Sequence, residues 1–167
     1  MIKAFLGGLL GSLLLLGCAS VAQRFTNSSQ GEVEALDFAV SPDAMGDVDA
    51  ALERAKASDK RVMLVMGANW CHDSRDLARW LNTERFKRLI AEEYELVLVN
   101  IGMPQTGDGH NLEIAKRFGL DELPGSPNVL IVTPDGKLVN PDTATTWRNA
   151  ASRSEDEIYS ELAQLAR

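Results

Sequence analysis

Cysteine is nearly absent: the chain has two in 167 residues. Two cannot build a disulfide scaffold. They can form one bridge, contribute to a metal site, or stand as unrelated thiols. Basic residues are scarce as well, with 17 Lys and Arg against 24 Asp and Glu, two His and a formal net charge of −7. No basic stripe offers itself to a phosphate backbone, so nucleic acid is not an expected partner. Aromatics make up 6%. Long apolar runs are confined to the N-terminus, which excludes a multi-span membrane protein, and no internal repeat is present. What remains is an ordinary globular composition, 45% apolar and 25% charged, at a length suited to one domain with a real core.

The chain opens with Met1-Ile2-Lys3, continues through an apolar stretch over residues 4–16, and reaches Leu15-Leu16-Gly17-Cys18. One positive charge followed by a short hydrophobic segment has the form of a secretory signal. The Leu-Leu-Gly-Cys step resembles the lipobox of bacterial lipoproteins, in which the cysteine is lipidated and becomes the first mature residue. The resemblance implies a signal peptide over residues 1–17, a lipid on Cys18 and a domain held at the cell envelope. Ala19 stands where an aspartate would favour inner-membrane retention, which implies the outer membrane, facing the periplasm. Two other readings stay open. An uncleaved helix through Ala22 would reach the roughly 20 residues that span a bilayer, although Gly7, Gly8, Gly11 and Ser12 weaken it. Ser20-Val21-Ala22 could instead be an ordinary cleavage site that releases a soluble protein. All three place the domain outside the cytoplasm. Residues 18–31 then comprise the lipidated cysteine and a polar, aperiodic tether, whose 13 residues after Cys18 would reach roughly 20 Å. Residues 32–167 are the folded domain.

Within that domain Val48, Ala51, Leu52 and Ala55 recur at helical spacing and predict a helix over residues 47–57. The apolar runs 62–66 and 96–101 predict strands covered on both faces. Between them Leu77, Trp80 and Leu81, then Phe86, Leu89 and Ile90, predict two helical pieces, with Thr83 capping the second. Residues 111–118 read as a short helix ending at Gly119. A buried strand over 129–132 leads through Thr133-Pro134-Asp135-Gly136 into an antiparallel edge strand at 137–139. Residues 34–40 suggest a weak extra strand, and 140–153 an irregular segment. Ser154 and Glu157 have capping-box spacing ahead of a helix striped by Ile158, Leu162 and Leu165. Helices and strands in this order describe a small three-layer α/β domain.

The strand at 62–66 runs into Gly67-Ala68-Asn69-Trp70-Cys71-His72-Asp73-Ser74 and then a helix. Strand, Trp-Cys-x-x and helix together resemble the thioredoxin superfamily. Leu123-Pro124-Gly125-Ser126-Pro127, entering the strand at 129–132, is similar to that fold's cis-proline loop. The resemblance spans residues 47–167. It implies a thioredoxin-like fold with a central mixed β-sheet flanked by helices, thiol chemistry at Cys71, and a docking surface formed by Trp70, Ser126 and Pro127.

Two departures narrow the chemistry. Ser74 stands where the family has its second cysteine, and Val65 where thioredoxins carry a buried carboxylate. A self-contained disulfide cycle needs a resolving thiol, and a lipidated Cys18 cannot supply one. What remains is a monothiol. At a helix N-terminus, N–H groups and the helix dipole favour an anion by up to ~2 kcal/mol, so Cys71 is expected to be reactive. Ser74 could donate a hydrogen bond to the thiolate, and protonated His72 could add charge. The partners implied are thiol- or disulfide-containing envelope proteins or glutathione, met through mixed disulfides or isomerase-like shuffling, with no cofactor. The competing function is a non-redox binding module that uses the same groove. Trp70 and Trp80 could equally be packing residues, and Trp147 has no assignment. Cys71, His72, Asp108 and His110 lack any recognised metal-ligand spacing, so no metal is expected.

Overall fold

The computed structural model describes residues 33–166. The proposed signal peptide, Cys18 and the tether lie outside them. In chain order the elements are α1 (Ala44–Ser58), β1 (Arg61–Gly67), α2 (His72–Leu81), α3 (Glu84–Glu93), β2 (Tyr94–Asn100), the two-residue strands β3 (Gly102–Met103) and β4 (Asp108–Gly109), α4 (Leu112–Arg117), β5 (Asn128–Val132) and α5 (Glu155–Leu165). The sheet order is β2-β1-β5. β1 runs parallel to β2, with Gly67 opposite Asn100, and antiparallel to β5, with Met66 opposite Asn128. This is the expected mixed sheet flanked by helices. Among the described residues no helix is long and apolar enough to cross a membrane.

β1 explains the three layers. Val62, Leu64 and Met66 pack with α1 and α4, whereas Met63 and Val65 pack with α2, α3 and α5. Successive strand side chains point to opposite faces, so one apolar run is buried on both. All five are fully buried, each contributing about 1.5–3 kcal/mol. β2 departs from the expectation of two covered faces, because it is an edge strand and its Leu96, Val97 and Leu98 stay partly exposed. Val65, where a buried carboxylate would have stood, sits wholly among apolar side chains.

The helix caps fall partly as expected. Asp43 accepts from Gly46 N–H at 2.9 Å and starts α1 three residues earlier than the periodicity predicts. Ser154 and Glu157 form the reciprocal capping box. Thr83 occupies the position before α3 without capping it, since its hydroxyl donates back to the Trp80 carbonyl at 2.9 Å.

Three expectations are corrected. Residues 137–139 do not form a strand and make a single bridge, Leu138 to Val132. The Asn140 side chain takes over the next ladder positions, accepting from Ile131 N–H at 2.8 Å and donating to the Val129 carbonyl at 2.9 Å. Residues 34–40 are not a strand either. They form an extended strap held by Leu36 N–H to the Ala78 carbonyl and by the side-chain amides of Asn69, Asn82 and Asn100. The segment 140–153 contains a 3-10 helix, Trp147–Ser152, whose Trp147 is a fully buried core residue under the Arg153 guanidinium.

Candidate thiol site

β1 ends at Gly67, and the chain turns through Ala68, Asn69 and Trp70 into α2. Cys71 is the residue before the helix, extended at φ −81 and ψ 123. Its N–H closes the turn on the Ala68 carbonyl at 3.1 Å, and its own carbonyl receives the first helical bond from Arg75 N–H at 3.1 Å. No side chain caps the start of α2. Arg75 instead reaches back and donates to the carbonyls of Asn69 and Trp70, at 2.9 and 3.2 Å.

The Pro127 loop meets this turn. Cys71 is 8% exposed, and its thiol donates to the Ser126 carbonyl at 3.3 Å. The Ser126–Pro127 bond is cis, and both residues are buried. The loop is closed by Asn128, which donates to the Gly125 carbonyl at 2.7 Å from the start of β5. The Ser126 hydroxyl is buried and has no partner among the described residues. Trp70 is half-exposed, and its indole N–H donates to the Gly102 carbonyl at 2.9 Å beside exposed Met103. Exposed apolar surface is thus offered by Trp70, next to Cys71 in the chain, and by Met103.

The other expected residues separate. Ser74 does not serve the sulfur. Ser74, Leu77, Ala78 and Leu81 form the buried stripe of α2, so the Ser74 hydroxyl turns inward and accepts from Ala68 N–H at 3.4 Å. His72 is solvent-exposed and lies 3.0 Å from the Asp76 carboxylate, one turn along the helix. Asp108 accepts from Thr106 at 2.9 Å, and His110 lies 3.1 Å from the Asn100 side-chain oxygen. Among the described residues no three potential ligands cluster around a point that could hold a metal.

Sequence reasoning missed Arg75, Asn69, Asn100 and Phe38. Asn69, within the Trp-Cys turn, carried the one local signal, because a short amide side chain there commonly bonds nearby backbone.

Comparison with known proteins supports the thioredoxin-like fold. A family profile described as thioredoxin-like matches residues 43–134. Among solved structures, a disulphide isomerase from Xylella fastidiosa Temecula1 is 32% identical, with 80% of this chain and 100% of that chain covered at a TM-score of 0.69. A protein of unknown function from Pseudomonas aeruginosa is 14% identical over 78% of this chain and 91% of its own, at a TM-score of 0.40. No curated protein matches the sequence significantly.

Proposed function

The chain belongs to the thioredoxin-like family, and from that premise we propose that it is an envelope thiol–disulfide exchange protein working through one thiol, Cys71. The observation that carries this reading is the contact between Cys71 and the cis-proline loop, and the likeness to a disulphide isomerase supports it.

Isomerisation suits one thiol because it needs no net electrons. The Cys71 thiolate attacks one sulfur of a client disulfide, forming the mixed disulfide and releasing the other client sulfur as thiolate. A third client thiolate then attacks the client sulfur of the mixed disulfide. A rearranged client disulfide forms, and the Cys71 thiolate is regenerated. The proton first held by Cys71 passes to solvent, and no resolving cysteine is required. Trp70, Ser126 and Pro127 form the docking surface, with clients that present a cysteine beside apolar residues. Oxidised glutathione is a second disulfide that the Cys71 thiolate can attack, giving a glutathione mixed disulfide and releasing glutathione as thiolate.

Residues 1–17 are the lipoprotein signal, Cys18 carries the lipid, and residues 18–31 tether the domain to the outer membrane on its periplasmic side. Cys18→Ala should abolish lipid labelling and release the protein from membranes, whereas retention without labelling would indicate an uncleaved helix. The thiol chemistry is tested by recovery of activity from a scrambled disulfide protein in a thiol buffer, which wild type should accelerate and Cys71→Ala should not. Two observations favour a second reading. The burial of Cys71 and the inward turn of Ser74 suit a peptide-binding module, for which Cys71→Ala would retain full biological function.

A further inference from the structure

The strap at residues 34–38 crosses directly behind the thiol turn, and Phe38 is its centre. The Phe38 ring is 1% exposed and lies against Gly67, the last residue of β1. A Cβ on Gly67 would come within 2.8 Å of both the Phe38 ring and the Ser74 hydroxyl. Those two groups therefore occupy the space that a bare glycine leaves open, with Phe38 on the strap and Ser74 on the first turn of α2.

The Phe38 main chain is gripped from two sides of the site. Its N–H donates to Asn69 Oδ1 at 3.0 Å, two residues before Cys71. Its carbonyl accepts from Asn100 Nδ2 at 2.7 Å, at the end of β2. Asn100 Oδ1 in turn accepts from Gly102 N–H at 2.9 Å, and the Gly102 carbonyl receives the Trp70 indole at 2.9 Å. A hydrogen-bonded circuit runs from the strap through Asn69 to Trp70, across to Gly102, and back through Asn100 to the strap. Cys71 follows immediately after the Asn69-Trp70 arm.

We infer that Phe38 and Asn69 are positioning residues, which hold the thiol turn in register with the Ser126 carbonyl so that the sulfur meets a docked disulfide instead of free solvent. This rests on the reading of Cys71 as an exchanging thiol. Neither residue is hydrogen-bonded to the sulfur, whose bond goes to the Ser126 carbonyl. Phe38 sets the depth of the turn by packing on Gly67, and Asn69 ties it laterally to the strap. Loss of either should loosen the turn, exposing the sulfur to small reagents while spoiling its alignment with a bound peptide.

The test compares two second-order rate constants for Cys71 in the full chain, one with a disulfide-bonded peptide and one with iodoacetamide, in wild type, Phe38→Ala, Phe38→Leu, Asn69→Ala and Leu162→Ala. The last is a core truncation on α5 that controls for lost stability. The ratio of peptide to iodoacetamide rate should fall about fivefold in Asn69→Ala, the factor that one hydrogen bond's worth of positioning carries, and at least that far in Phe38→Ala, which keeps the main-chain bonds but removes the ring packed on Gly67. Leu162→Ala should keep the wild-type ratio, and Phe38→Leu should largely restore it. An unchanged ratio in Asn69→Ala and Phe38→Ala overturns the inference, as does an equal fall in Leu162→Ala. Asn69→Ala decides alone if Phe38→Ala does not fold. A wild type that alkylates but forms no peptide adduct overturns the exchange reading instead. The positioning claim is then judged on iodoacetamide alone, with rates expected to rise in both variants.

Discussion

The Cys71 sulfur and the main-chain oxygen of Ser126 lie 3.3 Å apart, although 55 residues separate them in the chain. Two strands make the meeting possible. β1 delivers Cys71 at its C-terminal end, and the antiparallel β5 begins beside it, so the loop entering β5 arrives against the thiol. The carbonyl accepts a hydrogen bond from the thiol, and among the described residues no side chain donates to the sulfur, since Ser74 faces inward. On the proposed exchange reading, reactivity comes from the uncapped start of α2 and from what docks beside Trp70.

A second thiol in place of Ser74 should change the kind of chemistry the site performs. Cys71 and position 74 lie one turn apart, which brings side chains together on a helix, so Ser74→Cys should attack the mixed disulfide from within. The expected result is a gain of insulin reduction with a dithiol as electron source, against none for wild type. No gain in a folded Ser74→Cys variant would mean that the inward stripe keeps position 74 from the sulfur.

Asn140 replaces part of a missing strand, and its loss should be costly. Asn140→Ala leaves Ile131 N–H and the Val129 carbonyl buried without partners, at about 1–3 kcal/mol for each. Urea unfolding should show a midpoint lowered to match a total of at least ~2 kcal/mol. A midpoint equal to that of wild type would mean that water or relaxed backbone serves those groups.

The capping box of α5 predicts a pH dependence of definite sign. The Glu157 carboxylate is held below its ordinary value of 4.5, first by Ser154 N–H and then by the Ser154 hydroxyl. A carboxyl depressed in the folded state stabilises above its unfolded pKa and loses that contribution as pH falls through the folded value. Wild type should therefore weaken as pH drops below about 4.5, and Glu157→Gln should flatten part of that slope in urea titrations at pH 6 and pH 3. Parallel curves would place the acid sensitivity elsewhere, for example at Asp135, which Thr133 also depresses.

Local signals were legible in the sequence where one segment carried the whole pattern. β1 shows as an apolar run because both its faces are covered, and Ser154 to Glu157 shows as a cap because both partners lie within one turn. The Trp-Cys turn and the Ser-Pro loop were legible as motifs, and the structure brings them together. Residues whose roles depend on distant partners were not. Trp147 sits among polar neighbours and is buried only because the 3-10 helix turns it under α2 and α5. Phe38 reads as part of a weak strand until Gly67 and Asn69 are placed against it. Ser74 was misjudged because its position after Cys71 suggests a donor, whereas its spacing with Leu77, Ala78 and Leu81 puts it on the buried face.

The central claim is tested most directly by intact-mass analysis of the protein after exposure to a disulfide-bonded peptide with apolar residues beside its cysteine. One peptide adduct should form at Cys71, map there by digestion, disappear on addition of free thiol and be absent in Cys71→Ala. The contradicting result is no adduct in the native protein under conditions where the unfolded chain is modified at Cys71, which would make this face a binding surface with a sheltered thiol.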